Sequence, residues 1–244
     1  MTAETFRPEV FADGVRFVLD NPGLIADKTW EHLVLSGTSI GIALAVALPV
    51  GIALGHVHRG SFVAINAGNL GRALPSLAVI AIGLGVLGIG FANVVVALVV
   101  LAVPPMLTNA YVAVDEVDRD AVEAARGMGM SPLQMLMRIE LPLGLPLIFS
   151  GIRTASVYVV ATATIAAIAG GGGLGDIIVN QASYRLAGVI GAALCVSLLA
   201  LAVDLGLGIV QRMLTPEGIR GRVHAFEPDP STGRTPVSTQ HAVQ

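Results

Sequence analysis

An all-helical membrane protein with about five spans is the fold class that the sequence predicts, and three observations predict it. Of the 244 residues, 54% are hydrophobic and only 13% are charged, with a mean hydropathy of +0.78. A soluble domain of this length needs far more charge to cover its surface. Charge-free runs occupy residues 33–58, 73–114, 154–175 and 186–203. Finally, the basic residues divide unequally between alternate connections.

A crossing helix takes about 20 apolar residues. The first, third and fourth runs therefore each hold one span, and the second, about twice as long, holds two, broken around residues 85–90. The expected spans are 33–55, 66–86, 91–113, 146–169 and 185–211. The start of the second is the least defined, because Arg72 and Pro75 fall inside it.

Taken in order, residues 1–32 carry alternating charges and no apolar stretch leading to a small-residue cleavage site, so no signal peptide is expected. Phe11, Val15, Val18 and Leu19 fall at helical spacing, and Asn21-Pro22-Gly23 ends the pattern. That predicts a short amphipathic helix in the outer interface, with a loosely ordered tail as the alternative. Trp30 and His32 suit an interfacial anchor before the first span. The transmembrane domain covers 33–214, with a charged loop at 115–142. Residues 215–244 form a tail, of which 223–244, rich in Pro, Ser and Thr, read as disordered.

Basic residues concentrate in cytoplasmic segments of membrane proteins. With the 115–142 loop inside, Arg59, Arg72, Arg119, Arg126, Arg138, Arg153, Arg212, Arg220, Arg222 and Arg234 all lie in or beside inside segments. Only Arg7, Arg16, Lys28 and Arg185 lie outside. An odd number of spans, N-terminus outside and C-terminus cytoplasmic, gives this division.

The charged loop carries a fixed pattern: Glu123-Ala124-Ala125, three residues, Gly129, nine residues, Ile139, one residue, Leu141-Pro142. Residues 121–126 are mostly good helix formers, and Gly129 permits a turn that a Cβ would resist. Ser131, Pro132 and Gln134 make an S-x-x-Q capping box with proline at the first helical position. Two short helices joined at a glycine are expected, with Leu141-Pro142 marking the return to the membrane.

This pattern resembles the "EAA" loop of permease subunits in ABC-type importers, and it matches at every signature position. The resemblance implies the type I ABC importer permease (MetI-like) architecture, with the first short helix inserted into a groove on a separate ATPase. Carried over by position, the coupling residues are Glu123, Ala124, Ala125, Gly129, Ile139, Leu141 and Pro142, with Arg126 and Met128 as flanking contacts. The segment 73–78, reading ALPSLA, and Leu87-Gly88-Ile89-Gly90 resemble permeases for glycine betaine, choline, carnitine and related osmoprotectants. So do the glycine-rich turn 170–176, Glu31-His32-Leu33 and Leu214-Thr215-Pro216. The implied partners are two ATPase subunits, a second permease subunit, an extracytoplasmic binding protein and a bacterial inner membrane. An importer of another small solute, such as an amino acid, shares most of these features. An ion-coupled secondary carrier is the rival from another class; it predicts paired intramembrane carboxylates and broken helices in both halves, and the sequence shows neither.

Other chemistries find little support. Asp176 follows the glycine run, and no lysine stands where a phosphate loop needs one, so ATP is not expected to bind this chain and no cofactor is implied. No Ser/His/Asp set is recognisable, so the chain is not expected to be an enzyme. His56 and His58 have no carboxylate or thiol close in sequence and read as solvated loop histidines. Cys195, alone in an apolar run, reads as a small buried apolar residue. Arg72, Arg153 and Asp204 fall near membrane depth, where charges normally face protein, a wet cavity or the interface. Arg72, Pro75, Ser76, Gly173, Gly175 and Asp204 are the candidates for a pathway or gate, Asp204 also for a pairing across helices. Aromatics in or beside the spans are few, namely Phe62, Phe91, Tyr111, Phe149, Tyr158 and Tyr184. Tight selection of a quaternary ammonium is therefore expected in a separate binding protein.

Overall fold

The computed structural model describes residues 9–58 and 60–215, and within them the chain is helical with no strand. Residues 1–8, Arg59 and the tail from 216 onward, with Arg220, Arg222 and Arg234, lie outside the described residues. Helix α1 (Glu9–Asp20) precedes α2 (Pro22–His56), α3 (Ser61–Ala73), α4 (Ser76–Leu87) and α5 (Phe91–Asp115). After α6 (Arg119–Gly127) come α7 (Pro132–Met135), α8 (Leu141–Ala166), α9 (Gly175–Val179) and α10 (Gln181–Leu214).

Four described helical stretches are long and apolar enough to cross a membrane: Pro22–His56, Phe91–Asp115, Pro132–Ala169 and Gln181–Leu214. The second expected span is instead a broken pair, α3 and α4, joined at Leu74-Pro75. Pro75 is extended (φ −66°, ψ 121°). A proline has no N–H to continue the ladder and biases the residue before it away from helix, which accounts for the break. Proline inside the other spans does not stop them: Pro49, Pro104, Pro105 and Pro146 all sit within continuous helices.

Helix α5 is the centre of the bundle, flanked by α2, α3, α4 and α8. Lipid offers no hydrophobic force between helices, so tight contact depends on small residues that let backbones approach. Helix α2 presents Ser39, Ala43, Ala47, Gly51 and Gly55, one every four residues, and all five are buried. A Cβ on Gly51 would stand 2.7 Å from the Leu107 carbonyl oxygen, and one on Gly55 2.7 Å from that of Tyr111. From α8, Gly144 meets the Ala113 carbonyl and a Cβ on Gly151 would stand 2.6 Å from Asn109 Cβ. The outward faces carry Val46, Val50, Val96, Leu198, Leu201 and Leu205, all exposed, as a lipid-facing surface requires.

Helix α1 does form, and it packs on α10 rather than lying alone: Gly14 and Gly191 approach each other, and Phe17 meets Tyr184 edge to face at 6.3 Å. Its exposed side keeps Phe11, Val15 and Leu19. The last span departs from regular helix at Arg185 (φ 55°, ψ −179°), where the entry turn capped by Asn180 meets the long run to Leu214.

At the end of the bundle remote from α6, two glycine-rich turns join. The Gly90 N–H donates to the Ala169 carbonyl at 2.8 Å, linking the α4–α5 turn to the one before α9. Glu31 Oε2 accepts from the Gly173 N–H at 2.9 Å and from Lys28 Nζ at 2.8 Å, and Lys28 Nζ also reaches Asp176 Oδ2 at 2.8 Å. His32 is buried behind this group, its Nε2 3.0 Å from the Val160 carbonyl oxygen.

The α2–α5 contact yields a direct test. Gly51→Val should destabilise the purified protein by at least about 1–3 kcal/mol, because the added carbons meet backbone that cannot rotate away. Gly37→Ala, on the same helix with nothing within 4 Å of the new Cβ, should leave the unfolding midpoint unchanged or raise it. Thermal unfolding in detergent compares the two.

Candidate functional site: a projecting knob and a polar groove

The segment between α5 and α8 folds into a knob. Asp118 caps α6, its carboxylate accepting from the Asp120 N–H at 3.0 Å. The chain then turns at Gly129, which adopts φ +79° with nothing within 4 Å of a Cβ position. That backbone conformation, and not crowding within this chain, is the reason for glycine there. The capping box forms as the spacing predicts: Ser131 Oγ accepts from the Gln134 N–H at 3.4 Å, and Gln134 Oε1 accepts from the Ser131 N–H at 2.9 Å.

The second helix of the knob is not a separate short one. It continues from α7 through a wide turn, Leu136–Glu140, directly into α8. Within that turn the Leu141 N–H donates to the carbonyl of Leu136, five residues back. The wide register accommodates Pro142, which has no N–H to give, and Leu141-Pro142 opens the helix that runs on as α8.

The signature residues divide by exposure. Glu123, Ala124, Arg126 and Gly129 are open on the knob, and Met128 is 71% exposed. Ala125 is fully buried, while Ile139, Leu141 and Pro142 are half-buried where the knob meets the spans. The sequence pattern did not single out Leu133 and Met137, which are 68% and 58% exposed. Three exposed apolar side chains around a polar turn are a protein-docking surface in character. The signal that could have found them is their position: apolar residues within a charged segment, on the outward side of a capped helix.

Under the knob the histidines have partners. Contrary to the expectation of solvated loop residues, His56 Nδ1 lies 2.6 Å from Glu140 Oε2, and the Glu140 side chain is buried. His58 Nδ1 lies 2.9 Å from Asp115 Oδ1 on a more open surface. The carboxylates are 84 and 57 residues away in sequence, which is why the local sequence offered none. Among the described residues no group of three metal-ligating side chains assembles around these pairs. They act as struts, joining the end of α2 to the wide turn and the following loop to the end of α5.

Midway along α8 and in the last third of α10, Arg153 and Asp204 form a bidentate pair, Nε to Oδ1 at 2.9 Å and Nη2 to Oδ2 at 2.8 Å. The pair borders a cavity of about 540 Å³ lined by Ser150, Arg153, Thr154, Tyr158, Asp204 and Gln211. A second cavity of about 430 Å³, between α3, α5 and α8, shares Thr154 and Tyr158 and adds Thr108 and Asn109. Of the six pathway or gate candidates taken from sequence, Asp204 is the one that lines a cavity among the described side chains, and Arg153 and Tyr158, noted there for their depth and their ring, line it too. Pro75 and Ser76 stand at the α3–α4 break. Gly173 and Gly175 are buried in close contacts, the first with His32 and the second with the Thr164 carbonyl. Arg72 belongs to α3, its side chain outside the described ones.

Comparison with known proteins places this geometry. A family described as "Binding-protein-dependent transport system inner membrane component" matches residues 38–216. The choline transport system permease protein OpuBB of Bacillus subtilis is 37% identical over 207 residues, covering 84% of this chain and 95% of that protein. The glycine betaine/carnitine/choline transport system permease protein OpuCB of the same organism is 36% identical, with 84% and 95% coverage. The osmoprotectant import permease protein OsmW of Salmonella typhimurium is 34% identical, with 85% and 100% coverage. Among solved structures, an inward-facing MetNI methionine ABC transporter superposes with a TM-score of 0.70 over 81% of this chain and 99% of that one. At 22% identity, the likeness is one of fold.

The two histidine pairs should separate by burial. Glu140→Ala leaves a half-buried imidazole and a void under the wide turn, and should cost about 3 kcal/mol. Asp115→Ala, at the exposed pair, should cost less than about 1 kcal/mol. Equal unfolding midpoints in detergent for the two variants would show that Glu140 is not a strut.

Proposed function

The chain belongs to the family of binding-protein-dependent transport system inner membrane components, and from that premise we propose that it is the membrane permease subunit of an ATP-driven importer of osmoprotectants such as glycine betaine, choline or carnitine. The relatives named for those solutes match it over most of both chains at 34–37% identity. The observation that carries the coupling role is the knob: the signature spacing folds into a capped, outward-facing turn with Glu123, Arg126, Met128 and Leu133 exposed beyond the spans. Such a surface needs a protein partner, and an ATPase supplies the energy that this chain, with no phosphate loop in its sequence, does not bind.

In this reading the knob is cytoplasmic, and the glycine turns with residues 1–32 face outside, where a binding protein delivers the solute. A second permease subunit encloses the path, and two ATPase subunits grip the two knobs. ATP-driven closure of the ATPases draws the knobs together, and the unbroken run from α7 into α8 carries that displacement into the membrane. The transporter is then a two-state switch biased by ligands on both faces. An ion-coupled carrier acting alone is not favoured by relatives named as transport-system permeases.

Deleting this subunit should abolish uptake of at least one betaine-like solute under osmotic stress. Gly129→Asp combined with Glu123→Ala should reach the membrane in normal amount yet lose transport by at least about tenfold, since it alters the docking surface alone. Normal uptake by that double variant would reduce the loop to a connector and remove the coupling assignment.

Orientation has its own test. With Cys195 replaced, a membrane-impermeant thiol reagent should label Thr29→Cys in intact cells and leave Ser131→Cys untouched until the membrane is opened. The reverse pattern would invert the topology.

A further inference from the structure

The groove along α8 ties α8 to α10 through the Arg153–Asp204 pair, and it gathers polar side chains in the knob-side half of α5 and α10 and the middle of α8. Thr108, Asn109, Ser150, Thr154, Tyr158 and Gln211 open onto two adjoining cavities of about 430 and 540 Å³ around the Arg153–Asp204 pair. Charged side chains within spanning helices are costly to expose to lipid and normally face protein or a wet cavity, so a face of this kind is turned to water and protein rather than to lipid chains.

The groove has a definite chemical preference. Arg153 and Asp204 neutralise each other, so a free cation or a free anion meets one attractive and one repulsive charge. A small zwitterion can engage both. The guanidinium uses Nε and Nη2 for Asp204, while its Nη1 reaches Gln211 Oε1 only at 3.5 Å, a loose contact that a carboxylate can replace. Tyr158, 57% exposed, lines both cavities, and it is the aromatic ring among their lining residues with which a cation can pair. A cavity of several hundred cubic ångströms holds such a molecule with water around it.

We propose that this groove is a transient binding subsite for a small zwitterion bearing a quaternary ammonium, its carboxylate on Arg153 and its cationic end between Tyr158 and Asp204. The proposal rests on the osmoprotectant reading above and adds to it a place in the membrane where the solute pauses. With one aromatic ring instead of a cage, the subsite is weak, which is what a path must be if the solute is to leave it. Tyr158 is the specificity-determining residue, and Arg153 and Asp204 set the charge pattern.

The test uses the purified permease–ATPase complex in nanodiscs, without binding protein, and radiolabelled glycine betaine as the probe. Saturable binding in the millimolar range is expected. Tyr158→Phe should keep it within about twofold, and Tyr158→Leu should weaken it by about tenfold. Because Tyr158 is largely exposed, both variants should fold, and ATPase stimulation by loaded binding protein checks that they do. No saturable binding by the wild type, or equal binding by Tyr158→Leu, overturns the subsite. Import assayed with the wild-type complex reconstituted in sealed proteoliposomes, with binding protein and ATP on their proper sides, separates the two claims: import of glycine betaine without the Tyr158 effect overturns the subsite alone, whereas no import of any betaine-like solute overturns the functional reading beneath it.

Discussion

The rest of the structure depends on how closely α2 and α8 lie against α5. In a bilayer, apolar side chains gain little by leaving lipid for one another, so packing and satisfied backbone must hold the helices. Gly51 and Gly55 touch carbonyl oxygens of α5 on one side, and Gly144 and Gly151 press into it on the other. With the backbones so near, the α5 position is fixed, and with it the end of α5 that bears Asp115 and leads into the knob. Larger residues at these positions would separate α2 and α8 from α5 and displace both the His56–Glu140 strut and the groove.

The two ends of the bundle are built differently. At the end remote from the knob, glycine turns are tied by backbone N–H groups to Ala169 and Glu31, with Lys28 bridging two carboxylates. Those bonds bind three segments of chain into one body. At the knob end, the ties are two histidine–carboxylate contacts and a capping box, while the outer surface stays apolar and uncovered. A rigid far end and a lightly braced near end suit a device that is pushed from one side.

Much of this was legible in the sequence because the bilayer sets the rules. Span length follows from hydrocarbon thickness, so the charge-free runs located four of the crossing helices. The knob was legible because a turn with positive φ demands glycine, and a helix start demands a cap, at a spacing that Gly129, Ser131 and Gln134 obey. The α3–α4 break was visible as Pro75 but not as two helices, since proline is tolerated within α5 and α8. The struts were invisible because His56 and Glu140 are brought together only by the packing of α2 against α8. The ladder of small residues on α2 could have been read, had a period of four been sought among Ser39, Ala43, Ala47, Gly51 and Gly55. No local feature marks the wide turn at Leu136–Glu140 except the proline that follows it.

That wide turn has a mechanical consequence. From Pro132 to Ala169 the chain is 38 residues of nearly unbroken helix, about 57 Å at the usual rise per residue. Leu133 near one end and Arg153, Thr154 and Tyr158 along the shaft belong to a single rod. A sideways load on the first is therefore delivered to the others as torque and tilt. The turn where one hydrogen bond spans five residues interrupts the regular ladder between them, and the His56–Glu140 contact braces it from the side.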